Sequence, residues 1–335
     1  MAIVTPVASH AGRLLVLAAA DVEALLPMGD AIEVMGDALR ALARGEAHNP
    51  LRFVVRPPAG GGLLGLMPAY RDGYGLKEVC VFPSNPALGL DPHQGAVLLH
   101  EPEAGVLRAV INASAVTAIR TAAVSAVATR ALARSDASTL ALLGSGVQAR
   151  SHLAAMQCVR SIERVRVWSR SPARAEAFVR ESQPRTRVPI VRCATAAEAL
   201  RDADLVVTAT AAVEPIVRRD WLAPGVHLNA VGSSIPTSRE LDGPTMAAAT
   251  LIVDSRESAL NESGDYLGAA REGAIGPEHI RAELGEVLIG AHPGRGAPDE
   301  ITIFESLGLA VEDLAAAQAL HARAIARGAG TLVPF

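Results

Sequence analysis

Apolar residues recur at helical spacing early in the chain, at Ile32, Met35, Leu39 and Leu42, and predict a helix behind an Asp30 cap. Before it, the apolar run Leu14–Ala20 is too short to cross a bilayer; it reads as a first strand, with Asp21 opening a capped helix after it. The rhythm then changes to short apolar runs separated by glycine and proline. Leu51–Arg56, Gly62–Met67, Gly75–Phe82, Ala96–Glu101 and Val106–Ile111 are expected to be strands of a mostly antiparallel sheet. Asn112 is placed to cap a long alanine-rich helix that runs to about Ala133. From Ser138 strands and helices alternate. The runs Thr139–Leu143, Val165–Trp168, Asp204–Thr210, His227–Val231 and Leu251–Asp254 predict an α/β fold with a doubly wound parallel sheet. Gly268–Pro298, rich in glycine and charge, is expected to wrap the surface. Glu312–Arg327 returns to a helical pattern suited to packing back on the first part of the chain.

Composition narrows the function classes. The 335 residues suggest roughly two domains. A formal net charge of -4 offers no basic field for nucleic acid, and 3% aromatic residues give few stacking platforms for bases. No further segment reads as membrane-spanning. Cys80, Cys158 and Cys193 are too far apart for a metal motif and are expected to be small buried side chains in a reducing, cytoplasmic compartment.

Lys77 is the only lysine in the chain; the rest of the 31 basic residues are arginine. A lone ammonium in so arginine-rich a sequence suggests a task needing a compact charge or a transferable proton. Strand alternation puts it on one face with Val79 and Val81, which is costly unless it meets an anion or lines a cavity. Arg52, expected on a strand, and Arg120, on the long helix, are cations that could join it around a carboxylate. His93 stands at the start of a strand, where a structural role competes with a catalytic one. Asp254 and Asp265 are further acids with no diagnostic spacing.

Gly144-Ser-Gly-Val-Gln-Ala149 follows a buried strand and opens a helix, matching the G-x-G-x-x-A form of the dinucleotide fingerprint. The next strand ends Trp168-Ser169-Arg170, with Arg174 one helical turn on, and carries no acid to hold ribose hydroxyls. An arginine there can fork onto a 2′-phosphate, which favours NADP(H), with NAD(H) as the alternative.

Together these segments resemble the ornithine cyclodeaminase/mu-crystallin family. The resemblance is carried by Leu66–Tyr70, His93–Leu99, Arg120–Ala126, Leu143–Ala149, Val167–Arg170, Asn229–Gly232, Arg239–Asp242, Glu262–Asp265, Leu284–Leu288 and Ser306–Asp313. It implies a Rossmann-type doubly wound domain (126–309) and an α+β substrate-binding and dimerisation domain built from both chain ends (1–125 plus 310–335). It also implies that Arg52, Lys77 and Arg120 surround a substrate carboxylate, with Arg120, Thr121 and His93 near the cofactor. Gly144, Ser145, Gly146, Val147 and Gln148 would meet its pyrophosphate and adenosine side. Ser169, Arg170, Ser171 and Arg174 would meet the 2′-phosphate, and Thr210, Val231 and Ser306 the ribose and nicotinamide. One departure bears on activity. Where the amino-acid cyclodeaminases carry an aspartate two residues after a Val-Gly pair, this chain has Ser234. The Ser-x-Pro that follows resembles the mu-crystallin-like branch and implies a homodimeric NAD(P)H-dependent ketimine reductase; Lys77, its pKa lowered by neighbouring cations, is the candidate to supply the proton that accompanies hydride. Cyclic 2-imino acids such as Δ1-pyrroline-2-carboxylate and Δ1-piperideine-2-carboxylate are the expected substrates. Iminosuccinate reduction, alanine-dehydrogenase-like or cyclodeaminating activity, and non-catalytic binding of NADP and a small ligand are the alternatives. No metal is expected.

Overall fold

The computed structural model describes residues 12–58 and 60–335, and the chain divides into two compact units. The first comprises Met1–Pro27, Glu46–Thr117 and Ala310–Phe335, and the second Met28–Gly45 and Ala118–Leu309.

The first unit is built on strands β1 (Arg13–Leu17), β2 (Phe53–Val55), β3 (Leu63–Tyr70), β4 (Tyr74–Val81), β5 (His93–His100) and β6 (Leu107–Asn112), with β15 (Thr331–Pro334) from the chain's end. They form one sheet in the order β15-β1-β6-β5-β4-β3-β2. Only β1 and β6 run parallel; the sheet is otherwise antiparallel, as its alternating pattern predicts. Helix α1 (Ala19–Leu25) follows β1, and Asp21 accepts the Ala18 N–H at 2.9 Å, so it caps from inside the first turn rather than opening the helix. Helix α11 (Ala310–Arg327) packs on β3, β4 and β5. Its Val311 N–H donates to Asn49 Oδ1 at 2.9 Å, and Gln318 Nε2 donates to the Arg71 carbonyl at 2.6 Å. Arg52 lies just before β2 instead of on it.

In the second unit α2 (Met28–Ala43) buries Ile32, Met35 and Leu39 as their spacing predicts, but it begins at Met28, so Asp30 sits in its first turn and does not precede it. Asn112 Oδ1 accepts the Ala115 N–H at 2.9 Å and caps α3 (Ala113–Leu132), which enters the second unit at Ala118. By length and composition α3 is the one helix among the described residues that could cross a membrane, and 67% of its 18-residue apolar stretch is buried inside the protein. Then come β7 (Thr139–Leu143), α4 (Val147–Val159), β8 (Arg164–Trp168), α5 (Pro172–Ser182), β9 (Ile190–Arg192), α6 (Ala196–Leu200), β10 (Leu205–Thr208), β11 (His227–Ala230), α7 (Gly243–Ala247) and β12 (Thr250–Val253). The series closes with α8 (Arg256–Glu262), α9 (Gly264–Arg271), β13 (Ile280–Glu283), α10 (Leu284–Leu288) and β14 (Thr302–Glu305). All eight strands are parallel, in the order β13-β12-β14-β11-β10-β7-β8-β9. The expected Rossmann-type doubly wound sheet is present. One reading needs correction, and one strand lies outside the predicted runs. Gly268–Pro298 does not merely wrap the surface, because it contributes β13 and α10, with Ala282 and Leu284 fully buried. The short run Thr302–Glu305 is a strand between β12 and β11, buried along its whole length.

Burying polar groups in this unit requires internal partners. His152 on α4 is fully buried, and burial pushes its imidazole down to about 4, so the ring is neutral. Its Nδ1 lies 2.7 Å from the Gln148 carbonyl, which only accepts, so Nδ1 carries the proton; Nε2 then accepts from Ser125 Oγ at 2.9 Å. The folded value lies below the unfolded one, so this contribution is complete above about pH 6.5 and shrinks as pH falls towards 4. The stability advantage of wild type over His152→Gln in urea unfolding should therefore narrow by about 1 kcal/mol per pH unit across that window. A difference independent of pH would contradict a buried neutral ring.

Candidate active site

Lys77 lies on β4 opposite Met67 of β3 and Val97 of β5, with only 4% of its side chain exposed. The anion that its apolar face demands is Asp313 of α11, whose Oδ2 is 2.7 Å from Nζ and whose side chain is 1% exposed. This partner is not obvious in the sequence. The available signal is a second misplaced charge: Asp313 shares its helix face with Ala317 and Leu320, both fully buried. Two charges on two apolar faces need each other. Arg52 is half-buried in this same unit, and His93, at the start of β5, is exposed, with its carbonyl accepting from Ser114 Oγ.

Arg120 and Thr121, on α3, belong to the second unit and are buried. The Arg120 guanidinium lies against Gly308: a Cβ there would come within 2.6 Å of Nη1, and φ is +83°. Asp254 fixes this turn. Its Oδ2 accepts the N–H groups of Leu307 and Gly308 at 2.6 and 2.7 Å, and its Oδ1 that of Ser255 at 2.8 Å. Asp254 is thus a buried turn-former, not a free acid. Asp265 is likewise fully buried and accepts the N–H groups of Glu240 and Leu241 at 2.7 and 2.8 Å.

Because every strand of the second sheet is parallel, all the strand ends that enter the motif segments lie along one edge. Gly144 follows β7, Ser169 follows β8, Thr210 lies just beyond β10, Val231 follows β11 and Ser306 follows β14. Such an edge, where the strand order reverses, is where α/β folds take up ligands. Gly144 has φ +128°, and a Cβ would meet the Ala209 carbonyl at 2.4 Å, so the tight turn admits only glycine. Gly146 is the N-cap of α4 and no side chain caps that helix, while a Cβ at Gly146 would meet nothing within 4 Å. An uncapped helix start beneath open space suits an anionic group. Ser145 Oγ donates to Ser169 Oγ at 3.1 Å, joining the ends of β7 and β8. Ser171 caps α5, accepting the Arg174 N–H at 3.4 Å, and Arg170 and Arg174 are exposed beside it. The Ser306 hydroxyl is buried without a hydrogen-bond partner among the described residues, which suits it to a polar group of a ligand. These residues fit a dinucleotide.

The model of the ornithine cyclodeaminase/mu-crystallin family matches residues 13–328. The chain belongs to this family. It is 42% identical to the ketimine reductase mu-crystallin of Mus musculus over 280 residues, 83% of this chain and 85% of the relative. Its structure is similar to that of Thermococcus litoralis Δ1-pyrroline-2-carboxylate reductase in complex with NADH and L-proline. The TM-score is 0.93 and the identity 37%, over 95% of this chain and 99% of that one. An archaeal alanine dehydrogenase dimer with bound NAD gives a TM-score of 0.91 at 34% identity, over 96% and 99% of the two chains. The expected family and the expected oxidoreductase class both hold.

Other expectations fare differently. Cys193 is buried, but Cys80 is only partly so and Cys158 is exposed; all three are free thiols. The energetics of the Lys77 pair are open to measurement. Lys77→Met strands a buried carboxylate and should lower stability to urea by about 3–5 kcal/mol. Adding Asp313→Leu should restore most of that loss, since it removes the orphaned charge; an additive double mutant would mean the two side chains do not act as a pair.

Proposed function

We propose that this protein reduces 2-imino acids, taking hydride from NADPH and delivering an L-amino acid. Cyclic ketimines such as Δ1-pyrroline-2-carboxylate and Δ1-piperideine-2-carboxylate are its substrates. The observation that carries this reading is the buried ammonium of Lys77 in a member of this family that has Ser234, and no carboxylate, two residues after Gly232. A serine hydroxyl does not act as a carboxylate base near neutral pH, which argues against cyclodeamination.

In this reading the pyrophosphate lies at the uncapped start of α4, held by Gly144, Ser145, Gly146, Val147 and Gln148. Arg120, Thr121 and His93 approach the cofactor, and Thr210, Val231 and Ser306 meet its ribose and nicotinamide. Reduced nicotinamide, when bound, supplies the hydride for the C=N carbon. Arg52, Lys77 and Arg120 engage the substrate carboxylate and fix its distance and angle. Lys77 also gives the proton that the nitrogen gains as hydride reaches carbon. An ammonium donates three hydrogen bonds, so Asp313 can orient Nζ while the substrate also engages it. Arginine would keep the charge but not readily give the proton.

Ser169, Arg170, Ser171 and Arg174, with no acid among them, support NADPH through its 2′-phosphate. The solved relatives carrying NADH and NAD favour a second reading in which NADH also serves. We further assign the protein to the cytoplasm and to a homodimer, the latter supported by Phe53, Tyr70 and Tyr74 exposed on the first sheet.

Purified protein should oxidise NADPH with a cyclic ketimine in a panel that includes iminosuccinate and pyruvate with ammonia; turnover of none of these refutes the reductase reading. Ornithine with NAD⁺ should release no ammonia. Lys77→Arg should lose about a hundredfold or more in kcat with a smaller change in substrate KM. Arg174→Ala should raise the KM for NADPH by about tenfold and leave that for NADH unchanged.

A further inference from the structure

Thr210 and Gly232, just past the ends of β10 and β11, are held by a single side chain that the reading above does not use. Glu240 is fully buried. Its Oε1 accepts both the N–H and the hydroxyl of Thr210, each at 2.7 Å, and its Oε2 accepts the N–H of Gly232 at 2.8 Å. The carboxylate therefore bridges two strand ends with three donors. Its own backbone is fixed in turn. Asp265 Oδ1 accepts the Glu240 N–H, and the Glu240 carbonyl accepts the N–H groups of Ile216 and Val217 at 2.8 and 3.0 Å. Thr210 also lies against Gly144, with Cγ2 3.6 Å from where a Cβ would stand, so the bridge reaches the first glycine of the dinucleotide turn.

We propose that Glu240 is a positioning residue for the cofactor: as a carboxylate it clamps the Thr210 and Gly232 strand ends in the geometry that receives the nicotinamide half of the dinucleotide. The inference rests on the functional reading above, in which Thr210 and Val231 meet that half. The ionised form accepts from all three donors at full strength. A protonated carboxyl donates from one oxygen and accepts only weakly there, so the Thr210 hydroxyl must reverse to accept from it and the bonds to the N–H groups weaken.

The surroundings make that loss reachable near neutral pH. The titratable groups facing Glu240 are Asp265 of α9 and Glu305 of β14, and the Arg239 guanidinium, itself paired to Glu272, acts on Asp265. Burial and the neighbouring Asp265 push the Glu240 carboxyl up to about 7, against the pull of the Thr208 and Thr210 hydroxyls. Burial raises Asp265 to about 6, and burial together with Asp265 holds Glu305 well above the usual carboxylate range. Glu305 Oε1 accepts from Ser233 and Ser263 at 2.6 and 2.8 Å, so the cluster is anchored by hydroxyls on that side.

The test is the affinity for reduced cofactor, read by nucleotide fluorescence between pH 6 and 8.5 in wild type, Glu240→Gln and Glu240→Asp, with the thermal midpoint of each. NADH serves beside NADPH because it lacks the 2′-phosphate, whose own titration falls in this window. Wild type should bind more weakly as pH falls through neutrality with either nucleotide. Glu240→Gln, whose amide sets a donor against a donor, should bind about tenfold more weakly at pH 8 and lose the pH step; Glu240→Asp should fall between. Wild-type affinity and pH profile retained in a folded Glu240→Gln would overturn the inference. So would a flat wild-type profile, which decides the matter even if the variant does not fold. Wild type that binds neither nucleotide at any pH refutes the functional reading together with this inference.

Discussion

A charge removed from water must be answered inside the protein, and that constraint sets much of this structure. Lys77 sits on a strand of the first sheet with its ammonium against Asp313 of α11. The penalty for hiding either group alone runs to several kcal/mol, so each residue makes the other tolerable. Asp254 and Asp265 meet the same constraint differently, through backbone N–H groups of turns that they thereby shape. Each of these buried carboxylates fixes the backbone or ammonium it touches.

The second unit uses its parallel sheet in a related way. With every strand pointing the same way, residues scattered from Gly144 to Ser306 come to one edge, although they are far apart in the chain. The uncapped start of α4 provides a partial positive charge there, and Gly144 keeps the turn before it tight. After β8 the chain carries the exposed Arg170 and Arg174 and no acid.

Much of this was legible in the residues. Strand alternation between Leu51 and Ile111 and the apolar runs after Ser138 found most of both sheets, since their periodicity reflects burial directly. The family resemblance and the dinucleotide turn were readable because each rests on local spacing. What escaped notice was non-local. The strand Thr302–Glu305 is only four residues long, and its place between β12 and β11 is a fact of topology. The surface reading of Gly268–Pro298 failed because its glycines and charges mask Ile280–Glu283. Arg52 fell just outside its strand, as element boundaries are set by pairing more than by propensity. Asp313 and Glu240 could be identified as partners only once the chain had folded, although a carboxylate on the apolar face of a helix was a clue in the first case.

The composition of the first unit has a consequence for how the protein is made. Its sheet takes β1 from the beginning of the chain and β15 from the end, and α11 covers it. During synthesis Ala118–Leu309 leaves the ribosome with nearly all its own sheet and core available, and can consolidate early. The other unit has to wait. Lys77 emerges well before Asp313, with the whole of Ala118–Leu309 made between them, and until Asp313 arrives the buried ammonium lacks this carboxylate. Completion of the sheet, cover of its face and pairing of Lys77 with Asp313 therefore all follow synthesis of Ala118–Leu309, which makes the first unit the later of the two to reach its form.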